Sequence, residues 1–131
     1  MAAGMSDTMG FQYVVLRCVP RVDREEFVNV GVVLYCQRAE FLRAGCDVDR
    51  DRLTALAPDL DVDAVFSALA AIEAVCTGDP SAGEAGRAAM GTRFGFVKSP
   101  RSTVVQPGPV HGGTTADPEA QLDHLLDRLV R

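Results

Sequence analysis

At 131 residues, with 47% hydrophobic and 24% charged side chains, the chain has the size and balance of one globular domain, which excludes a disordered or fibrous protein. No window approaches the roughly 20 uninterrupted apolar residues that a membrane-spanning helix requires. A net charge of −5 disfavours nucleic acid as a partner, because neutralising phosphates demands a basic stripe.

Residues 1–10 carry neither a basic flank nor an apolar run, so they read as a short disordered tail rather than a secretory signal. That leaves 11–131 as a single domain and the cytoplasm as the expected compartment. Lys98, Asn29 and Ile72 are the only lysine, asparagine and isoleucine. Scarcity of these AT-rich codons points to a GC-rich bacterial genome and carries no functional information.

In chain order, Phe11 to Val19 is aromatic and β-branched and stops at Pro20, so it is expected to be a strand. Val28 to Cys36 is a second apolar run and its expected antiparallel neighbour. Apolar residues fall on both parities in each, which suits central strands covered on both faces. Gly31 within the second strand marks a bulge or a close backbone approach. Glu40 to Cys46 completes a three-stranded meander.

The period then changes. Leu53, Leu56 and Ala57 follow a possible Asp49 cap and end at Pro58, a short helix. From Asp61, the residues Val62, Val65, Phe66, Leu69, Ile72 and Cys76 recur at steps of three and four, which predicts a helix that stops at Gly78. Residues 77–92 are small and Gly-containing and read as a loop with room for one helical turn. Arg93 to Lys98 and Ser102 to Gln106 are expected to be extended, separated by a turn at Pro100. Pro107 to Thr115 reads as a Pro/Gly loop. Asp117 caps a last helix with Pro118 at its first position and Leu122, Leu125, Leu126, Leu129 and Val130 on one face. The expected fold is therefore α+β: an antiparallel sheet, the N-terminal three-stranded meander plus one or two later strands, packed with two or three helices.

Cys18, Cys36, Cys46 and Cys76 include no pair at the two-residue spacing of metal knuckles and redox motifs. They fall in or beside strands and on a helix's apolar face, where reduced cysteine behaves as a small hydrophobe. Asp47-Val48-Asp49-Arg50-Asp51 begins like a calcium loop but has Arg52 in the glycine position and Pro58 in place of the bidentate glutamate. No metal or cofactor is expected, and no phosphate-cradling loop, nucleotide fingerprint or serine elbow is present.

With the segments EFVNVGVVLYC (26–36), RFGFVKSPRSTVVQPGPVHGG (93–113) and DPEAQLDHLLDRLV (117–130) in view, the chain resembles the bacterial domain-of-unknown-function 3037 family over nearly its whole length. Tyr13, Pro20-Arg21, Glu26 to Val33, Pro100 to Thr103 and His111 match its pattern, while Gly112 stands where that pattern has threonine. The resemblance implies no established activity. It implies an accessory role beside a HipA-like kinase-fold protein.

Several residues are harder to explain by folding alone. Arg101 after Pro100, with Ser102 and Lys98 nearby, offers a planar fork of donors suited to phosphate or carboxylate. His111, in a Pro/Gly segment, suits proton transfer or ligand contact near pH 7. Arg21 and Glu26 belong to a charged connector, and Asn29 is an amide among valines that must find partners if buried. Each also has a bland account: a surface ion pair, a loop-locking hydrogen bond, or a strut that ties down the connector. One histidine without a nucleophile or a second base is not a catalytic set. The reading favoured is a non-catalytic accessory or binding module with a small-anion or contact site. The alternative is a small enzyme acting on a phosphorylated or carboxylated substrate.

Overall fold

The structure is a computed structural model that describes residues 8–99 and 104–131. Five strands form one antiparallel sheet: β1 (Met9–Cys18), β2 (Val28–Cys36), β3 (Phe41–Cys46), β4 (Val105–Pro107) and β5 (His111–Thr115). The order is β3-β2-β1-β4, with β5 also paired to β1. β5 takes Met9 to Tyr13 and β4 takes Leu16 to Cys18, so the two short strands divide one edge of β1 between them. The α+β fold expected from the sequence is thus the one observed.

The helices are α1 (Arg50–Leu56), α2 (Val62–Thr77), α3 (Glu84–Arg87), α4 (Met90–Val97) and α5 (Pro118–Leu129), with single 3-10 turns at Val22–Arg24 and Pro80–Ala82. Caps account for the starts of the long ones. Asp49, Asp61 and Asp117 each accept from the backbone N–H three residues on, at 3.1, 3.1 and 3.2 Å, which satisfies one of the orphan donors at each helix start. Gly78 ends α2 with φ 73, the left-handed conformation that glycine adopts without a Cβ penalty. Arg93 adds a second stop there: its Nη1 donates to the carbonyls of Val75 and Cys76 at 3.2 and 2.5 Å, and its Nε to that of Ala88 at 3.1 Å.

Two cores lie on the two faces of the sheet. Val14, Leu16, Cys18, Val30 and Val33 pack beneath α1, α2 and α4 through Leu53, Val65, Leu69 and Phe94. Phe11, Val32, Leu34 and Cys36 pack against Leu122, Leu125, Leu126 and Val130 on the other side. Val30 and Val33, three residues apart on β2, share one core because a bulge changes the parity: Leu16 pairs Gly31, but Arg17 pairs Asn29, leaving Val30 as the extra residue. Gly31 itself is a close approach, since a Cβ there would lie 2.8 Å from the carbonyl oxygen of Gly45.

Several expectations are corrected. Residues 93–98 are not extended but form the end of α4, because Met90, Phe94 and Val97 recur at helical spacing toward the α2 core while Phe96 points out. The segment 77–92 holds more than one helical turn, Glu84–Arg87 and the start of α4, and the described residues form five helices where two or three were expected. The Pro/Gly segment 107–115 is not all loop. His111 to Thr115 pairs with the first half of β1, and Gly113 leaves room for the Phe11 ring, which a Cβ would approach to 3.0 Å. The same pairing draws Met9 and Gly10, read as part of the tail, into β1.

Candidate functional site

Pro20 ends the ladder of β1, and the chain then turns tightly, with the Arg24 N–H donating to the Arg21 carbonyl at 3.2 Å. Glu25 takes φ 55, a left-handed conformation uncommon outside glycine. In this turn Pro20, Arg21, Arg24 and Glu26 line a cavity of about 230 Å³ closed on one side by Leu56 and Ala57 at the end of α1. Glu26 is taken up by an ion pair with Arg24 Nε. Arg21 is exposed and has no ion-pair partner among the described residues. The lining thus holds one satisfied pair and one guanidinium outside any described ion pair, a planar donor that suits a small anion.

Asn29 and His111 do not line that cavity; both belong to the side of the sheet that α5 covers in part. Asn29 Nδ2 donates to the Leu129 carbonyl at 3.0 Å and so ties the start of β2 to the end of α5. Its Oδ1 is buried without a described donor. His111 is exposed on β5, with its ring stacked on Tyr13, centroids 5.2 Å apart. Tyr13 in turn stacks with Phe11 at 6.0 Å. Arg101 and Ser102 lie outside the described residues.

Between Asn29 and His111 runs the outward row of β1. Because alternate residues face opposite ways and Val14, Leu16 and Cys18 belong to the α2-side core, Tyr13, Val15 and Arg17 face the α5 side. α5 packs on β2 and β3, which leaves Tyr13, Val15 and Arg17 half-buried. Arg17 is opposite Asn29 on β2 and Gln106 on β4. Its guanidinium lies over the Phe27 ring, 4.2 Å from the centroid. Arg17 was not among the residues singled out from the sequence. The available signal was a lone charge inside FQYVVLRCV, on the same parity as Tyr13.

Burial governs the thiols. Cys18, Cys36 and Cys76 are buried and Cys46 half-buried, all free. Loss of solvation pushes Cys18 up, and pushes Cys46 and Cys76 up to about 12, with Glu73 adding to the rise at both. Near neutrality these are inert, protonated sulfurs, as core packing requires. Unfolded thiols ionise near pH 9 while Cys46 and Cys76 stay protonated to about pH 12. Stability from the raised pair is therefore complete below pH 9 and falls as pH rises from there toward 12. Urea denaturation across that interval should show the decline, and a Cys46→Ala, Cys76→Ala double variant should flatten it. An unchanged slope would contradict the assignment.

Comparison with known proteins adds a family and nothing more specific. No curated protein and no solved structure matches the chain. The profile of a family described as protein of unknown function (DUF3037) matches residues 13–130, a span that takes in all of the sheet but the first four residues of β1, the five described helices, the connector cavity and the Arg17 row, and the chain belongs to that family.

Proposed function

We propose that the protein is a non-catalytic binding module that docks an accessory partner on the open part of the α5 side of its sheet. The observation that carries this reading is the row Tyr13, Val15, Arg17: a central strand whose outward side chains stay half-exposed, flanked by the stacked His111 and by Phe27, which is 45% exposed. Aromatic residues and arginine are the types that dominate binding energy at protein interfaces. The connector cavity with its unpaired Arg21 is the small-anion site of the same module. A HipA-like kinase-fold protein is the first partner to try.

The test compares baits. Full-length protein, a His111→Glu variant on the proposed face, and a Ser67→Glu variant on the outer side of α2 are each offered to a HipA-like kinase-fold protein encoded in the same genome. Wild type and Ser67→Glu should retain the partner, and His111→Glu should lose at least about tenfold in retention with an unchanged melting curve. Equal retention by all three, or by none, would refute the reading.

A further inference from the structure

Arg17 is held in place by the fold and has neither an ion pair nor a hydrogen-bond acceptor among the described residues, in a chain that has 18 acidic residues available; Arg93, also without an ion pair, differs in that three backbone carbonyls satisfy it. Its head is held between β1's neighbours: the Phe27 ring lies 4.2 Å from Cζ, and a Cβ on Gly108 would come within 3.0 Å of Cζ and 3.1 Å of Nε and Nη2. Gly108 is itself fixed, since its N–H donates to the Val15 carbonyl at 2.8 Å. Among the described residues, Nε is buried with no acceptor, and across the strand pair Asn29 Oδ1 is buried with no donor. Neither Nη nitrogen has a described partner, yet neither is sealed from solvent.

A guanidinium with one nitrogen buried and unsatisfied is costly. A flexible surface arginine would swing into water, but this one is stacked on an aromatic face and braced by the Gly108 backbone just beyond β4. The Nε edge is closed and the two Nη nitrogens remain open, which is the end-on fork that receives two oxygens of a planar or tetrahedral oxyanion. We infer that Arg17 is the anchor of an oxyanion site, for a carboxylate or a phosphate, with Phe27 as its platform. The inference deepens the docking reading, since it places the site at the centre of the proposed face. Tyr13 and its stacked His111 lie about 13 Å along β1 from Arg17, far enough that a ligand held by the fork and touching both rings is an extended group rather than a free ion.

The experiment uses the isolated full-length protein at low ionic strength, titrated separately with inorganic phosphate and with sodium acetate. The Arg17 Nε–H and Gly108 N–H signals are followed by proton–nitrogen NMR. A saturable shift of both signals with either anion is expected, and which anion saturates first tells phosphate from carboxylate. Arg17→Gln should abolish the shift at Gly108, and Arg17→Lys should weaken binding at least about tenfold, because an ammonium lacks the fork. Phe27→Leu, which keeps the charge and removes the platform, should weaken it severalfold. Arg17→Met should raise the melting temperature of the free protein by about 3 °C. Linear, unsaturable shifts with both anions would overturn the site, as would a Gly108 shift that persists in Arg17→Gln, or a lower melting temperature in Arg17→Met, which would mark a structural arginine. Partner retention sensitive to His111→Glu without saturable anion binding sinks this site alone. Anion binding without any partner retention sinks only the docking reading.

Discussion

Phe94→Ala should cost about 3–5 kcal/mol in urea denaturation, the range for emptying a fully packed aromatic site. Phe94 is 1% exposed, the largest of the fully buried side chains. Its ring stacks on Tyr35 with centroids 5.2 Å apart and receives Lys98 Nζ at 5.6 Å. Truncation would leave a void where α4 meets α2 and the sheet, and neighbours anchored in strands relax poorly into such a space. Phe96→Ala is the matched control. Phe96 is 37% exposed, so its loss should stay below about 1 kcal/mol. The contrast tests the local conformation as well as the packing. Were 93–98 extended, positions 94 and 96 would share one face and the two variants would cost alike. Equal costs would therefore overturn the helix, not merely the estimate.

The second large effect belongs to Gly31. Its Cβ position is crowded on three sides: the Gly45 carbonyl oxygen at 2.8 Å, Cys46 Sγ at 3.1 Å and a Leu16 methyl at 3.3 Å. The nearest contact is backbone of the adjacent strand and cannot rotate away. Gly31→Ala should cost about 1–3 kcal/mol, and Gly31→Val more, by forcing β2 and β3 apart. Gly10→Ala, where nothing lies within 4 Å of the added carbon, should stay within about 0.5 kcal/mol. Gly45→Ala falls between, because the atom it meets, at 2.5 Å, is a terminal methyl of Leu126 that can turn aside. A ranking that places Gly45→Ala above Gly31→Ala would show that the strand spacing, not the side-chain packing, is the part that yields.

These two residues divide what was readable from what was not. Gly31 was legible as a bulge or a close approach, since a glycine inside VNVGVVLYC has no other reason to be there, and the structure shows both at once. For Phe94 the letters RFGFVK misled, because a glycine between two phenylalanines mimics alternation over so short a window. What decides the matter is Met90, Phe94 and Val97 together, a helical triplet that counts only if the core lies on that side.

Candidate residues divide along the same line. Arg21 and Glu26 are close in sequence, and one tight turn brings them to one cavity, so their meeting needs no tertiary information beyond the end of α1. Asn29 stands out in the sequence as an amide that must find a partner if buried. Its partner, the Leu129 carbonyl, lies a hundred residues away and could not be named from composition or period. His111 was placed in a loop, whereas pairing with β1 holds it in a strand and stacks it on Tyr13. Arg17 escaped notice because its peculiarity is not local: the Phe27 ring, the Gly108 backbone and the Asn29 amide come from three other parts of the chain.

By itself the sequence determined the fold class, the meander, the caps at Asp49, Asp61 and Asp117 and the Gly78 stop, because those depend on side-chain period and on hydrogen bonds reaching only three or four residues. Tertiary structure decided which edge of β1 the segment 105–115 joins, which face of the sheet stays open, and that one arginine is clamped without a counter-charge. Each of those is set by pairing and burial between segments far apart in the chain, and no local pattern encodes them.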